Sequence, residues 1–182
     1  MTWVAGSALI FSVIYFASDV IEAANGGFTD FQLILTLIGE IAVPFFVVAL
    51  YLVQRPAIGR LGLVSSAAYA YAYVFFTYTV VYALVQNVDT YQNLSDDLGI
   101  SMFLHGVIMV LAGLGFGYAA IRARVLPAWT GAALMLGVVA VSATQGAPEG
   151  IQLVAAGIRA LAFAGMGLAV IQEVRAAGHQ QR

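Results

Sequence analysis

Six apolar stretches follow one another along this chain, near residues 3–21, 31–53, 61–85, 100–121, 128–144 and 151–171, with only short polar interruptions. Each approaches the ~20 residues that carry an α-helix across a hydrocarbon core of ~30 Å. A membrane barrel would show short alternating segments instead, and an isolated strand cannot satisfy its backbone in lipid. The predicted fold is therefore all-α, a polytopic bundle of six transmembrane helices forming one domain over residues 1–182. Composition agrees: 62% of residues are hydrophobic, 9% are charged and the mean hydropathy is +0.95, where a soluble domain carries about 25% charged residues.

The connections orient this bundle. All seven basic residues are arginines. Arg55 and Arg60, Arg122 and Arg124, and Arg175 and Arg182 fall on the second loop, the fourth loop and the C-terminal tail, which share one side. The opposite loops carry Glu22 and Asp30, then Asp89, Asp96 and Asp97, then Glu149. The positive-inside rule then predicts cytoplasmic termini at both ends. Asp19 and Glu22 stand where a signal cleavage site would need small neutral residues, so the first stretch is expected to stay as a helix. The expected location is the cell membrane, multi-pass, and the alanine-rich, arginine-only composition points to a bacterial plasma membrane. No basic patch predicts a nucleic-acid partner.

Lysine and cysteine are both absent, which excludes Schiff-base chemistry, disulfides and thiolate sites. Two histidines, His105 in a span and His179 in the tail, cannot form a bis-histidine haem site within the bundle. The Asp96–Asp97 pair is similar to the magnesium-binding acidic motifs of prenyl-transferring enzymes, but no second such cluster accompanies it. No metal and no cofactor is predicted.

Polar residues inside the spans fall into stripes. Ser12, Tyr15, Asp19 and Glu22 share one face of the first helix, and Gln32, Thr36 and Glu40 share one face of the second. Asp97, Ser101 and His105 repeat at the same spacing on the fourth, the fifth ends in Thr144 and Gln145, and the sixth carries Gln152 and Arg159. At about 1.5 Å per residue, His105 lies roughly 7 Å, Arg159 roughly 12 Å and Glu40 roughly 14 Å below the outer ends of their helices. The inner halves hold almost nothing ionisable. The pattern predicts a blind pocket open to the outside, not a path across the bilayer.

Glu40 is the centre of this prediction. An ionisable residue at membrane depth is costly and marks a functional site by default. Pro44, one turn later, cannot donate to the Glu40 carbonyl, so acid and freed backbone oxygen coincide at a kink. An ion pair with Arg159 is the structural alternative. Tyr71, Phe75, Tyr78 and Tyr82 fall on one face of the third helix and are read as an apolar wall, their alternative being core packing and an interfacial belt. His105 could equally be a hydrogen-bonded interface histidine, and Asp19 a solvated rim residue. Gly113 with Gly117, and Ala156, Ala160 and Ala164, read as helix-packing faces, which also offer a homo-oligomer contact.

Two functions fit. The first is a small membrane enzyme that binds a lipophilic molecule among membrane lipids and acts by cofactor-independent acid–base chemistry, of isomerase, cyclase or epoxide-opening type. Glu40, His105 and Asp19 are the expected proton-transfer groups. Arg159, Tyr71, Phe75, Tyr78, Tyr82, Tyr15, Thr36, Gln152 and Gln145 are the expected substrate contacts. The second is a solute-binding subunit or transporter. With six helices in about 180 residues and an outward pocket, the chain resembles in size and topology the substrate-binding subunits of energy-coupling vitamin transporters, which implies ligand capture without chemistry. A structural subunit of a larger membrane complex is the third reading.

Overall fold

A computed structural model describes the backbone of residues 2–180 and the side chains of residues 6–173. Seven helices make up the fold: α1 (Thr2–Asn25), α2 (Asp30–Val53), α3 (Gly59–Gln86), α4 (Tyr91–Leu98), α5 (Ile100–Ala123), α6 (Ala128–Ala143) and α7 (Glu149–Gln180), with no strand among the described residues. Five of them, α1, α2, α3, α5 and α7, are long and apolar enough to cross a membrane. The chain thus has the helices of a multi-pass membrane protein. At 16 residues α6 is shorter than these.

Six helices were expected and a seventh is present. The stretch between the third and fourth apolar runs is not a loop but the amphipathic helix α4. Thr90 caps it by accepting from the Asn93 amide at 3.3 Å, the usual role of a threonine in that position. Leu94 is buried while Asp96 and Asp97 face outward. Gly99, at φ +50°, ends α4 and turns the chain into α5, a backbone conformation that favours glycine. This break takes Asp97 out of the helix that carries Ser101 and His105, so the predicted three-residue stripe does not form.

The other six helices close into a ring. α1 packs on α2 and α7, α3 on α2 and α5, and α6 on α5 and α7, while α4 lies against α5 and sets Leu94 beside α2 and α3. Successive members are joined by short turns, so one end of the ring carries residues 26–29, 87–99 and 144–148, and the other carries 54–58 and 124–127. The predicted basic residues Arg175 and Arg182 lie outside the described side chains.

The half toward the Arg55 and Arg124 turns is filled. Leu50 of α2, Leu134 of α6 and Met166 of α7 have no exposed surface, and Phe46 meets Phe163 across the ring at 5.0 Å between centroids. Lipid tails are as apolar as these side chains, so packing and close backbone approach hold such a ring together. Small residues supply that approach. A Cβ on Gly117 would lie 2.7 Å from the Gly131 carbonyl oxygen, and one on Gly113 would lie 2.7 Å from Val138 Cγ1. The Gly113–Gly117 face is therefore packed against α6 of the same chain.

Candidate functional site

The opposite half of the ring is hollow. A cavity of about 920 Å³ runs inward from the turns at 26–29, 87–99 and 144–148. Its wall on α1 and α2 is polar. Thr29 caps α2, and three residues on, Gln32 turns its amide toward α1, with Nε2 and its two hydrogens within reach of Ser18 Oγ at 3.1 Å, Thr36 Oγ1 at 2.9 Å and Glu22 Oε2 at 3.2 Å. The Ser18 hydroxyl also bonds the Thr36 hydroxyl and the Gln32 carbonyl. Gln32 Oε1 is buried without a partner.

One turn deeper, the wall becomes ionisable. Gly39 lets α1 and α2 touch: a Cβ there would lie 2.9 Å from Tyr15 Cβ. That contact brings the Tyr15 hydroxyl to Glu40 Oε1, to which it donates at 2.9 Å. Glu40 is 5% exposed, and its second oxygen, Oε2, has no partner. Arg159 enters from α7, whose backbone lies against α6 at Gly137, 2.8 Å from where a Cβ would stand. Its guanidinium carbon sits 4.7 Å from the Tyr15 ring centroid, within cation–π range. Nη1 donates to the Tyr73 hydroxyl at 3.2 Å, and Nη2 lies 3.8 Å from Asp19 Oδ2. The ion-pair partner of Arg159 is thus Asp19, not Glu40, whose one bonded oxygen is taken by Tyr15.

Tyr15, Asp19, Thr36, Glu40, Gln145, Gln152 and Arg159 all line this one cavity. Gln152 is held there by donating to the Ala147 carbonyl at 2.7 Å. At the mouth stand Glu22, Glu149 and, from α4, Tyr91. Burial, and then the Glu22 charge, raises the Tyr91 phenol above its ordinary value. α4 lies across this opening, so its amphipathic sequence has a use: Leu94 is buried among Leu33, Val80, Ala83 and Met102, while Gln92 and Ser95 join the cavity rim.

The third-helix wall has the opposite phase to the expected one. His105, Tyr71, Phe75, Tyr78 and Tyr82 are not among the cavity's lining residues. They form a cluster on the outer surface between α3 and α5. His105 stacks on Phe75 at 3.7 Å between centroids, its Nε2 lies 3.1 Å from the Tyr71 hydroxyl, and its Nδ1 lies 2.8 Å from the Ser101 carbonyl. Tyr71 and Tyr78 are both more than half exposed. The α3 residues that do reach the cavity are Tyr73, Phe76, Thr79 and Val80, which sequence reasoning missed. The register 69, 73, 76, 80 contains as many apolar residues as 71, 75, 78, 82, so periodicity could not choose between them.

Nitrogen and oxygen donors do not converge on a metal-sized point. No group of three His, Cys, Asp or Glu side chains could hold a metal ion among the described residues. The chemistry available at the cavity floor is that of proton donors and acceptors, one fixed cation and phenol hydroxyls. No known family matches the chain, and neither does any curated protein or solved structure.

Proposed function

We propose that this protein is a small integral membrane enzyme that takes a lipophilic molecule into the cavity and acts on it by proton transfer without a cofactor. The observation that carries the reading is the asymmetry of Glu40. Tyr15 fixes one carboxyl oxygen, the other is buried with no protein partner, and the residue lines a cavity of about 920 Å³. Buried polar atoms are rarely left unpaired, and a positioned carboxyl beside an apolar volume is suited to general acid–base catalysis. Glu40 delivers a proton to an alkene carbon or epoxide oxygen of the substrate, and Asp19 removes one from a neighbouring carbon. Arg159 offsets the negative charge that passes between them. The apolar body of the substrate lies against Tyr73, Phe76 and Val80.

In this reading six helices span the membrane, α6 included, and α4 rests at the surface. The arginine-bearing turns are cytoplasmic, by the positive-inside rule, so the cavity opens outward, in a bacterial plasma membrane. A ligand carrier is the second reading. The filled half of the ring favours it, since a binding site with a packed floor resembles one end state of a carrier.

Chromatography of a lipid extract incubated with the wild-type protein and with Glu40→Gln separates the two. The enzyme converts a component to an isomer of unchanged mass, and Glu40→Gln slows this by about a hundredfold or more. Conversion by Glu40→Gln at the wild-type rate would show that Glu40 is not the acid. Retention of a lipid with no conversion by either protein would establish the carrier.

A further inference from the structure

We infer that the ligand of this cavity is a lipophilic amine, its ammonium held at the mouth by Glu22, Glu149 and the Gln32 side-chain carbonyl while its apolar part reaches inward toward Glu40. The inference rests on the reading of the cavity as a substrate site and adds the chemical class of what enters it.

Charge gives the first argument. Among the described residues that line the cavity, the acidic side chains are Asp19, Glu22, Glu40 and Glu149, against the single basic side chain of Arg159. Arg159 is engaged by Asp19 and Tyr73. Glu22 and Glu149 thus face the opening with no basic side chain on the cavity wall to offset them. A cleft lined by one sign of charge, with low-dielectric walls, concentrates the opposite sign.

Hydrogen-bonding capacity gives the second. Gln32 is 1% exposed and its Oε1 has no partner, while its Nε2 is spent on Ser18, Thr36 and Glu22. The Nε2 contact with the Glu22 carboxylate fixes the orientation of the amide, because a flip would set two acceptors against each other. The cavity wall therefore holds, near the Glu22 carboxylate, a buried acceptor that no protein group satisfies. An ammonium, with up to three donors and no acceptor, supplies what is missing; a carboxylate or a phosphate cannot. Deeper in, Tyr73, Phe76, Val80 and Met109 offer an apolar sleeve that a bare inorganic cation would not use.

The test is equilibrium binding of radiolabelled octylamine, octanoate and octanol, at neutral pH, to the full chain in nanodiscs of zwitterionic lipid, with empty nanodiscs as the partition control. Octylamine is expected to bind at least about tenfold more tightly than the other two, and Glu22→Gln with Glu149→Gln to lose about tenfold of that affinity while leaving octanol unchanged. Glu149→Gln alone, at an exposed residue that can be changed without disturbing the fold, is expected to lose about threefold. Equal binding of octanol or octanoate, or octylamine binding indifferent to Glu149→Gln, overturns the amine assignment while leaving the cavity a lipophilic site. Binding of none of the three above empty nanodiscs overturns the assignment and the proposed function together.

Discussion

Tyr15 donates its hydroxyl to Glu40 Oε1 at 2.9 Å while the same ring carries the Arg159 guanidinium 4.7 Å from its centroid. A carboxyl and a guanidinium on different helices are thus linked through an aromatic side chain that touches both. Glu40 keeps its other oxygen without a partner, and the cavity floor gains a carboxyl that no protein cation neutralises by contact.

Removing the phenol hydroxyl leaves both Glu40 oxygens unpaired. Tyr15→Phe is expected to lower stability by roughly 1–3 kcal/mol, the penalty for an unsatisfied buried acceptor. In a double-mutant cycle with Glu40→Gln, thermal unfolding in detergent should reveal a coupling of about 1 kcal/mol or more. Strictly additive effects would mean that the two side chains do not interact.

Arg159→Met removes the cation on which Asp19 and Tyr73 depend. Breaking a buried pair from one side costs about 3–5 kcal/mol, and because the Asp19 side chain keeps 21% of its surface exposed, a loss of roughly 2–4 kcal/mol is expected here. The Arg159→Met Asp19→Asn double variant should recover part of it, since no uncompensated carboxylate then remains. A double variant no more stable than Arg159→Met would remove Asp19 from the pair.

Glycine at position 39 sets the distance between α1 and α2. A Cβ there would stand 2.9 Å from Tyr15 Cβ and 3.3 Å from its Cα, which the backbone must move to accommodate. Gly39→Ala is expected to cost about 1–3 kcal/mol as an overpacked contact. Gly106→Ala is the control: beyond its own turn of helix nothing lies within 4 Å of its Cβ position, and alanine favours a helix interior by up to about 1 kcal/mol. Destabilisation by Gly106→Ala equal to that by Gly39→Ala would mean that close contact with Tyr15 is not the cause.

The orientation is open to a labelling experiment that the natural absence of cysteine makes clean. Asn93→Cys and Glu149→Cys should react with an impermeant maleimide on intact cells, whereas Ala57→Cys and Ala128→Cys should react only after permeabilisation. The reverse pattern would turn the cavity mouth toward the cytoplasm.

The polar wall of the cavity was readable in advance because polar side chains on membrane helices are rare. Gln32, Thr36 and Glu40 at every fourth position leave one choice of inward face for α2, and Tyr15, Asp19 and Glu22 do the same for α1. α3 offered no such marker. Tyr and Phe surround it, and a residue facing lipid and one facing the bundle meet equally apolar surroundings. Two aromatic registers were equally good, and the inward one holds Tyr73 and Phe76. His105 followed the same error, since its neighbours Tyr71 and Phe75 face outward with it.

Sequence alone determined the six apolar helices, though not the short amphipathic α4, and the separation of arginine-bearing from acidic turns, because hydropathy and charge are properties of local segments. Tertiary structure alone decided that six helices close into a ring hollow at one end, that Asp19 takes Arg159, and that Tyr15 takes one oxygen of Glu40. Those outcomes depend on how closely α1 approaches α2 at Gly39 and α6 approaches α7 at Gly137. Such distances are set by pairs of residues remote in the chain, and no periodicity within one helix encodes them.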